Sequence, residues 1–409
     1  MLAGVAAGVF IVLAGCGGGG GAKGPATLNW YVFKDKSGSF DYAAKQCSKQ
    51  SGGKYTIKIQ LLPADADGQR EQLVRRLAAK DSSIDLIGMD VIWTAEFAEA
   101  KWIKPWSGAD RARVEQGTLA KPLQTASYKG TLWGAPLNSN AQVLYYRKDL
   151  VPNPPKTWAE MLAQGQKLGA KGKIEVQAAQ YEGLTVWFNS LLGSAGGQIL
   201  ASPEKAALGP PAVAALDVMK KLAISPAADP SMSNAKEDQA NIAFEGGKAA
   251  FQVNYPAFYS TIKKEAPKVF AVTGIAPWPS VTPGQPSHTT IGGINLGVGA
   301  FTKHPTEAFA AAQCLRNRPN QKYAQVNGSF APSIADLFQD PDVKKAQPFS
   351  LLLKVALEQA SLRPVTPAYT DISLAVQKTL SPPSGIDPPS TAKDLKSKID
   401  KALKSGGLL

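Results

Sequence analysis

Apolar and polar positions change period in a repeating order along the chain. Residues 28–33 (LNWYVF) are aromatic and β-branched, which predicts an opening strand. Residues 40–50, containing Cys47, read as a helix. Residues 55–62 (YTIKIQLL) alternate and predict a second strand. Asp67 is the expected N-cap of a helix running to Lys80, with Leu73 and Leu77 one turn apart. Residues 84–89 (IDLIGM) form a nearly continuous apolar run, as a strand buried on both faces would. Strand, helix, strand, helix in this order predicts an α/β lobe around a largely parallel sheet. Asp90 follows the buried strand directly, before a helical stretch at 94–100. Ligands of open α/β sheets bind beyond the carboxyl ends of strands, so Asp90 is placed for binding; its competing role is to cap the next helix.

Further along, residues 133–146 (WGAPLNSNAQVLYY) contain a strand with two amides, Asn138 and Asn140, at its entry. Thr157 and Glu160 predict a capping box for a helix to Leu168, after a loop punctuated by Pro152, Pro154 and Pro155. Residues 181–192 read as a helix that starts with Tyr181 and Glu182. Residues 252–259 (QVNYPAFY) read as an aromatic loop after a short strand. In the glycine-rich segment 290–298, Gly292-Gly293 let backbone approach a ligand closely. Helices are expected at 306–315, which carries Cys314, at 349–360 before Arg363-Pro364, and at 391–403 after a proline-rich stretch.

The first fifteen residues are apolar and end at Cys16. They fit a signal-peptide core, and Leu13-Ala14-Gly15-Cys16 matches the bacterial lipobox, with Cys16 as the lipidated residue. No Lys or Arg precedes the run, so the true start is expected upstream of Met1. Gly17 to Gly24 reads as a flexible tether. The body then faces an oxidising compartment, and Cys47 and Cys314 are left either as a pair or as two separate buried thiols. The chain has 409 residues, a net charge of +13, two histidines and three cysteines. Three cysteines exclude a four-cysteine zinc site, and no metal site or cofactor is expected. The basic residues are scattered, so the charge points to a solvated surface and not to nucleic acid. No phosphate-binding glycine loop occurs.

Aromatics stand repeatedly beside polar groups: Tyr181/Glu182, Asn254/Tyr255 and Trp278. An aromatic ring packs on the C–H face of a pyranose while carboxylates, amides and guanidinium groups pair with its hydroxyls. Arg363 offers a planar donor fork, and Asp90 and Glu182 offer acceptors. Taken singly, each aromatic fits core packing equally well.

Four segments in order, 91–106 (VIWTAEFAEAKWIKPW), 144–162 (LYYRKDLVPNPPKTWAEML), 244–258 (FEGGKAAFQVNYPAF) and 291–317 (IGGINLGVGAFTKHPTEAFAAAQCLRN), resemble family 1 extracellular solute-binding proteins of ABC importers. Within that family, QREQLVRRLAAKDSSIDLIGMDVIWTAEFAEA, QYEGLTVWFNSLL and LRPVTPAY are most similar to the actinobacterial trehalose-binding lipoproteins. The resemblance implies an α/β, two-lobed periplasmic-binding-protein-like fold of type II, with two discontinuous lobes joined by a hinge. It implies sugar contacts from Asp90, Asn140, Glu182, Tyr255, Gly293 and Arg363, joined by Asp35 from the first loop, and a Cys47–Cys314 disulfide. Tyr255 stands where the look-alikes carry tryptophan, and the loop Lys34-Asp35-Lys36 is more basic than theirs.

The expected organisation is a leader at 1–16, a tether at 17–26, one lobe from 27–137 with 287–337, and a second from 138–286 with 338–409. Asp35, Asp90 and Gly293 then line the first lobe, Asn140 the hinge, and Glu182, Tyr255 and Arg363 the second. The expected function is capture of a disaccharide, trehalose foremost, by a monomeric lipoprotein anchored on the outer membrane face, and its delivery to an ABC permease. Maltose, a maltodextrin, or another oligosaccharide or polyol is the alternative ligand. The competing classes are a secreted glycosidase using Asp90 and Glu182, and a surface interaction lipoprotein that has lost transport.

Overall fold

The computed structural model describes residues 24–404. The expected leader, the lipidated Cys16 and most of the tether lie outside the described residues. The first strand, Ala26–Phe33, begins one residue inside the expected tether. It pairs in parallel with Tyr55–Leu62 along its whole length, and with Leu86–Asp90 on its other side. Period-two alternation sends Leu28, Trp30 and Val32 to one face of this sheet and Tyr31 to the other. The first face packs on Ala308, Ala311 and Leu315, the second on Leu73, Leu77 and Phe97.

The six-stranded sheet is mixed, not largely parallel. Gly292–Val298 runs antiparallel to both Leu86–Asp90 and Ala135–Asn140. The reason is the chain's route: Gly292 enters at the edge where Asp90 and Asn140 end, so its strand runs back against theirs.

The segment expected as one strand at 133–146 is two strands in two sheets. Ala135–Asn140 is the last strand of the first sheet before the chain crosses over, and Val143–Arg147 opens a four-stranded sheet with Thr273–Ala276, Ala249–Asn254 and Lys173–Glu175. Only Ala141 and Gln142 lie between, both buried; the Gln142 side-chain amide donates to Gln177 Oε1 at 2.6 Å. The chain returns to the first sheet between Ala276 and Gly292 and leaves it again after Pro332. Over the second sheet, the helix Glu182–Ser194 is buried at every residue, held between Pro210–Ala223 and Tyr369–Leu380.

Several local expectations are corrected. Asp65, not Asp67, caps Ala66–Ala78 by accepting the Gly68 N–H. Thr157 caps its helix, but Glu160 reaches back to the Lys156 N–H, one residue before the cap. Gln252 to Asn254 belong to a strand and Phe258 opens the helix Phe258–Glu265, so the aromatic loop shrinks to three residues. The last helix starts at Pro388, since proline is tolerated in a first turn. Trp278 is core, its ring 5.0 Å from that of Trp158.

Cys47, on the helix Ser39–Gln50, and Cys314, on Pro305–Leu315, form a disulfide. It closes a loop of 267 residues that runs through the second sheet and back. Replacing both cysteines with serine is expected to lower unfolding stability by about 2–5 kcal/mol, measured by denaturant titration; equal midpoints would contradict this.

Glu175, 2% exposed, has its carboxyl pushed up to about 8 by burial and by Asp229, against the opposing Lys173. Between about pH 4.5 and 8 the folded chain keeps a proton that the unfolded chain releases, so this group's contribution falls as pH rises. Glu175→Gln is therefore expected to raise the melting temperature near pH 8 and to flatten the decline across that window. Identical pH slopes for both proteins would count against it.

Candidate functional site

The edge where both sheets meet collects polar side chains by topology. Asp90 ends its strand, Asn140 ends the next, and Gly292 starts the strand between them, in register with Asn140 while Ile294 faces Asp90. From the other sheet, Tyr255 follows the end of Ala249–Asn254, and Glu182 opens the buried helix. Arg363 comes from the loop between Ser350–Glu358 and Tyr369–Leu380.

Two glycines make the close approach possible. A Cβ on Gly292 would lie 2.1 Å from Asn140 Oδ1. Gly293 has φ +131°, and its Cβ would lie 2.4 Å from the Asn138 carbonyl oxygen.

Arg363 is the centre of the cluster. Its side chain is 4% exposed. Nη1 donates to Glu182 Oε1 at 2.7 Å, and Nη2 donates to Asp90 Oδ1 at 3.2 Å and to the Ile291 carbonyl at 3.5 Å. Burial works against its charge, but Asp90, Tyr369 and Glu182 together hold the guanidinium above the ordinary arginine range. Burial likewise pushes the Glu182 carboxyl up, opposed by Arg363, Ser373 and Tyr369. Asp90 also caps the turn Val91–Trp93 through the Ile92 N–H, so its capping and site-facing roles coexist.

Both oxygens of Glu182 are committed. Oε1 accepts from Arg363 and from the Tyr369 hydroxyl, and Oε2 accepts from Ser373 Oγ at 2.5 Å. A carboxylate so engaged positions Arg363; it is poorly placed as a general acid or nucleophile. Tyr255 is half-buried, its backbone pinned by Asn254 Oδ1 and by the Tyr145 hydroxyl, and burial pushes its phenol up. Arg363 Nε, Asn138 Oδ1 and Asn140 Oδ1 are buried and have no protein partner.

Asp35 is not brought into this cluster. Its carboxylate accepts the N–H groups of Ser37, Ser39 and Phe40 and the Ser37 hydroxyl, and so holds the loop before Ser39–Gln50. Asn254 is likewise spent on local hydrogen bonds. The residues that sequence reasoning missed are Tyr369, Ser373 and Asp67. Tyr369 and Ser373 share one face of a helix whose buried positions, Tyr369, Ile372, Ser373, Val376 and Leu380, follow the helical period. Asp67 Oδ2 accepts the Glu182 N–H at 3.3 Å, so the first turn of one lobe's helix caps a helix of the other. Burial raises the Asp67 carboxyl, with the Glu182 N–H lowering it and the Asp65 and Asp90 charges raising it further.

A family model for the bacterial extracellular solute-binding protein matches residues 22–322. The chain belongs to that family. A probable ABC transporter-binding protein of Deinococcus radiodurans is 30% identical over 334 residues, 78% of each chain. Maltose-bound MalE3 of T. maritima has a TM-score of 0.84 at 26% identity, covering 93% of this chain and 99% of that one. The GacH receptor of Streptomyces glaucescens, solved unliganded and with acarbose, has a TM-score of 0.81 at 20% identity, covering 93% and 99%. The two-lobed α/β fold expected from the sequence is the fold observed. In this solute-binding protein no described helix is long and apolar enough to cross a membrane, and no group of metal-ligating side chains occurs among the described residues.

Removing one donor from the buried Glu182 carboxylate should leave it under-paired. Tyr369→Phe is expected to cost about 1–3 kcal/mol of unfolding free energy by urea titration. Unchanged stability would show that the phenol does not support the cluster.

Proposed function

We propose that this solute-binding protein captures a disaccharide between its lobes and delivers it to an ABC permease from the outer face of the cell membrane, anchored by lipid on Cys16. The first lobe is built on the six-stranded sheet and the second on the four-stranded sheet; because Asn138 to Asn140 pair within the first sheet, the first crossing lies at Ala141-Gln142 and not at the expected 137/138 boundary. One observation carries the reading. A desolvated guanidinium, a half-buried tyrosine ring and unpartnered amide oxygens converge at the edge where the two sheets meet. That mixture suits a neutral sugar, whose hydroxyls need both donors and acceptors and whose C–H face needs a ring.

Asp90, Asn140, Tyr255, Gly293 and Arg363 contact the ligand in this reading, and Glu182 holds Arg363 for it. Hydroxyls bridging both lobes bind the closed form better than the open one, and that difference drives closure. Nothing in the arrangement calls for bond-making. Trehalose is supported by the segments around Gln69–Ala100, Tyr181 and Arg363 that resemble trehalose-binding lipoproteins. Maltose is the second reading, supported by the likeness to maltose-bound MalE3.

Calorimetric titration with trehalose, maltose and sucrose tests this. Saturable heat from trehalose is expected; heat from maltose alone would move the assignment to the second ligand, and silence from all three and from longer glucans would remove the sugar reading. Arg363→Ala and Asp90→Ala are each expected to weaken binding by about 1–3 kcal/mol, roughly five- to 150-fold in Kd. Unchanged affinity in both would remove the proposed site.

A further inference from the structure

Outside the buried cluster, the two lobes also meet through exposed charges of alternating sign. Lys36 Nζ lies 2.7 Å from Asp238 Oδ1, with side chains 66% and 51% exposed. Close by in sequence the polarity is reversed: Lys236 Nζ lies 3.9 Å from Asp65 Oδ2. Lys36 and Asp65 stand in the loops after the first two strands of the six-stranded sheet. Lys236 and Asp238 stand at the start of the helix Glu237–Glu245, which feeds the four-stranded sheet. Each lobe thus presents one cation and one anion, and each meets its opposite on the other lobe.

Lys36 makes no other ion pair among the described residues, whereas Asp65 also caps Ala66–Ala78 through the Gly68 N–H. Lys36 sits on the loop that Asp35 holds in place through Ser37, Ser39 and Phe40. The Lys236 ammonium lies 5.0 Å above the Tyr181 ring, beside Asp67. The charges nearby also include Glu237, Glu245 and Glu265, all acidic and on the second lobe; the Glu245 carboxyl feels Lys36 and Glu265, and the Glu237 carboxyl feels Lys236. The second lobe's rim is therefore mainly negative opposite Lys36.

We propose that these exposed pairs form an electrostatic rim clamp, made only when the lobes close, which makes the affinity for an uncharged ligand depend on salt. The inference rests on the sugar-capture reading for its ligand, and on the structure alone for the clamp. Lys36, Asp65, Lys236 and Asp238 act as positioning residues and touch no ligand. An exposed pair contributes little to a fold whose charges stay near each other. Here, however, closure itself makes and breaks the pair, so its whole worth enters the closure equilibrium. A neutral sugar has no charge of its own to screen, so a salt-dependent affinity reports the protein's own closing contacts.

The test uses wild type, Lys36→Glu and Lys36→Arg. Both variants change one exposed loop side chain and leave the proposed sugar contacts in place. Raising NaCl from about 20 mM to about 500 mM should increase the wild-type Kd by about two- to fivefold, measured by calorimetry with trehalose or, if only maltose gives heat, with maltose. Lys36→Glu, facing Asp238 with like charge, should bind about three- to tenfold more weakly at low salt and gain affinity as salt screens the repulsion, reversing the sign of the wild-type dependence. Lys36→Arg should restore both. Small-angle scattering of the ligand-free protein provides an arm that needs no sugar. Its radius of gyration should increase with salt in wild type and already be larger at low salt in Lys36→Glu. If no sugar gives heat, the capture reading fails while scattering still decides the clamp. A wild-type radius indifferent to salt, with Lys36→Glu indistinguishable from wild type, would overturn it.

Discussion

The structure depends on one buried guanidinium. Arg363 is taken almost wholly out of water, and such a charge persists only if it is paired and its donors are used. Its partners come from three parts of the chain: Asp90 from the first sheet, Glu182 from a helix over the second, and the Ile291 carbonyl from the returning connection. The pairing therefore joins the lobes and orders the site in one act. Glu182 needs support in turn, and Tyr369 and Ser373 supply it from the helix that follows Arg363. Breaking any member leaves another charge buried with too few partners, which is why the cluster behaves as a unit.

The two sheets bring these residues together by strand direction. Strands that end at Asp90 and Asn140 and one that starts at Gly292 share an edge, and the second sheet ends a strand at Asn254 on the side where Val143 begins. Reversing the direction of the central strand makes the sheet mixed and places the glycine pair at the site. Asn140 keeps its amide oxygen free there because position 292 has no side chain.

Much of the frame was legible. Residues 55–62 form the strand their alternation predicted, and Thr157 caps its helix as its position predicted. Apolar period reports burial, and these elements are half-buried or buried in regular fashion. The segment 133–146 was misread because a continuous β-like pattern does not show that the chain changes sheet at two residues, Ala141 and Gln142. Of the candidate cluster, Asp90 was legible from its strand-end position, and Arg363 and Glu182 from family resemblance; the structure brings the three together, with Glu182 bound to Arg363. The cluster was not legible where the role is set by a distant partner. Tyr369 and Ser373 look like ordinary positions on a buried helix face until Glu182, 187 and 191 residues earlier, is placed against them. Asp35 shows the converse: a carboxylate in the expected loop is consumed by the N–H groups beside it. The cysteine count left a pair and two free thiols open, and the packing of two helices decided for the pair.

We propose the Arg363 cluster as the ligand site between the lobes, held from behind by Glu182. A crystal structure of the disaccharide complex tests it most directly. Sugar density is expected against the Tyr255 ring, with hydroxyls within hydrogen-bonding distance of Arg363, Asp90 and Asn140, and Glu182 still bound to Tyr369 and Ser373. Sugar bound elsewhere, with the Arg363–Asp90 contact unchanged and no ligand beside it, would rule out this site.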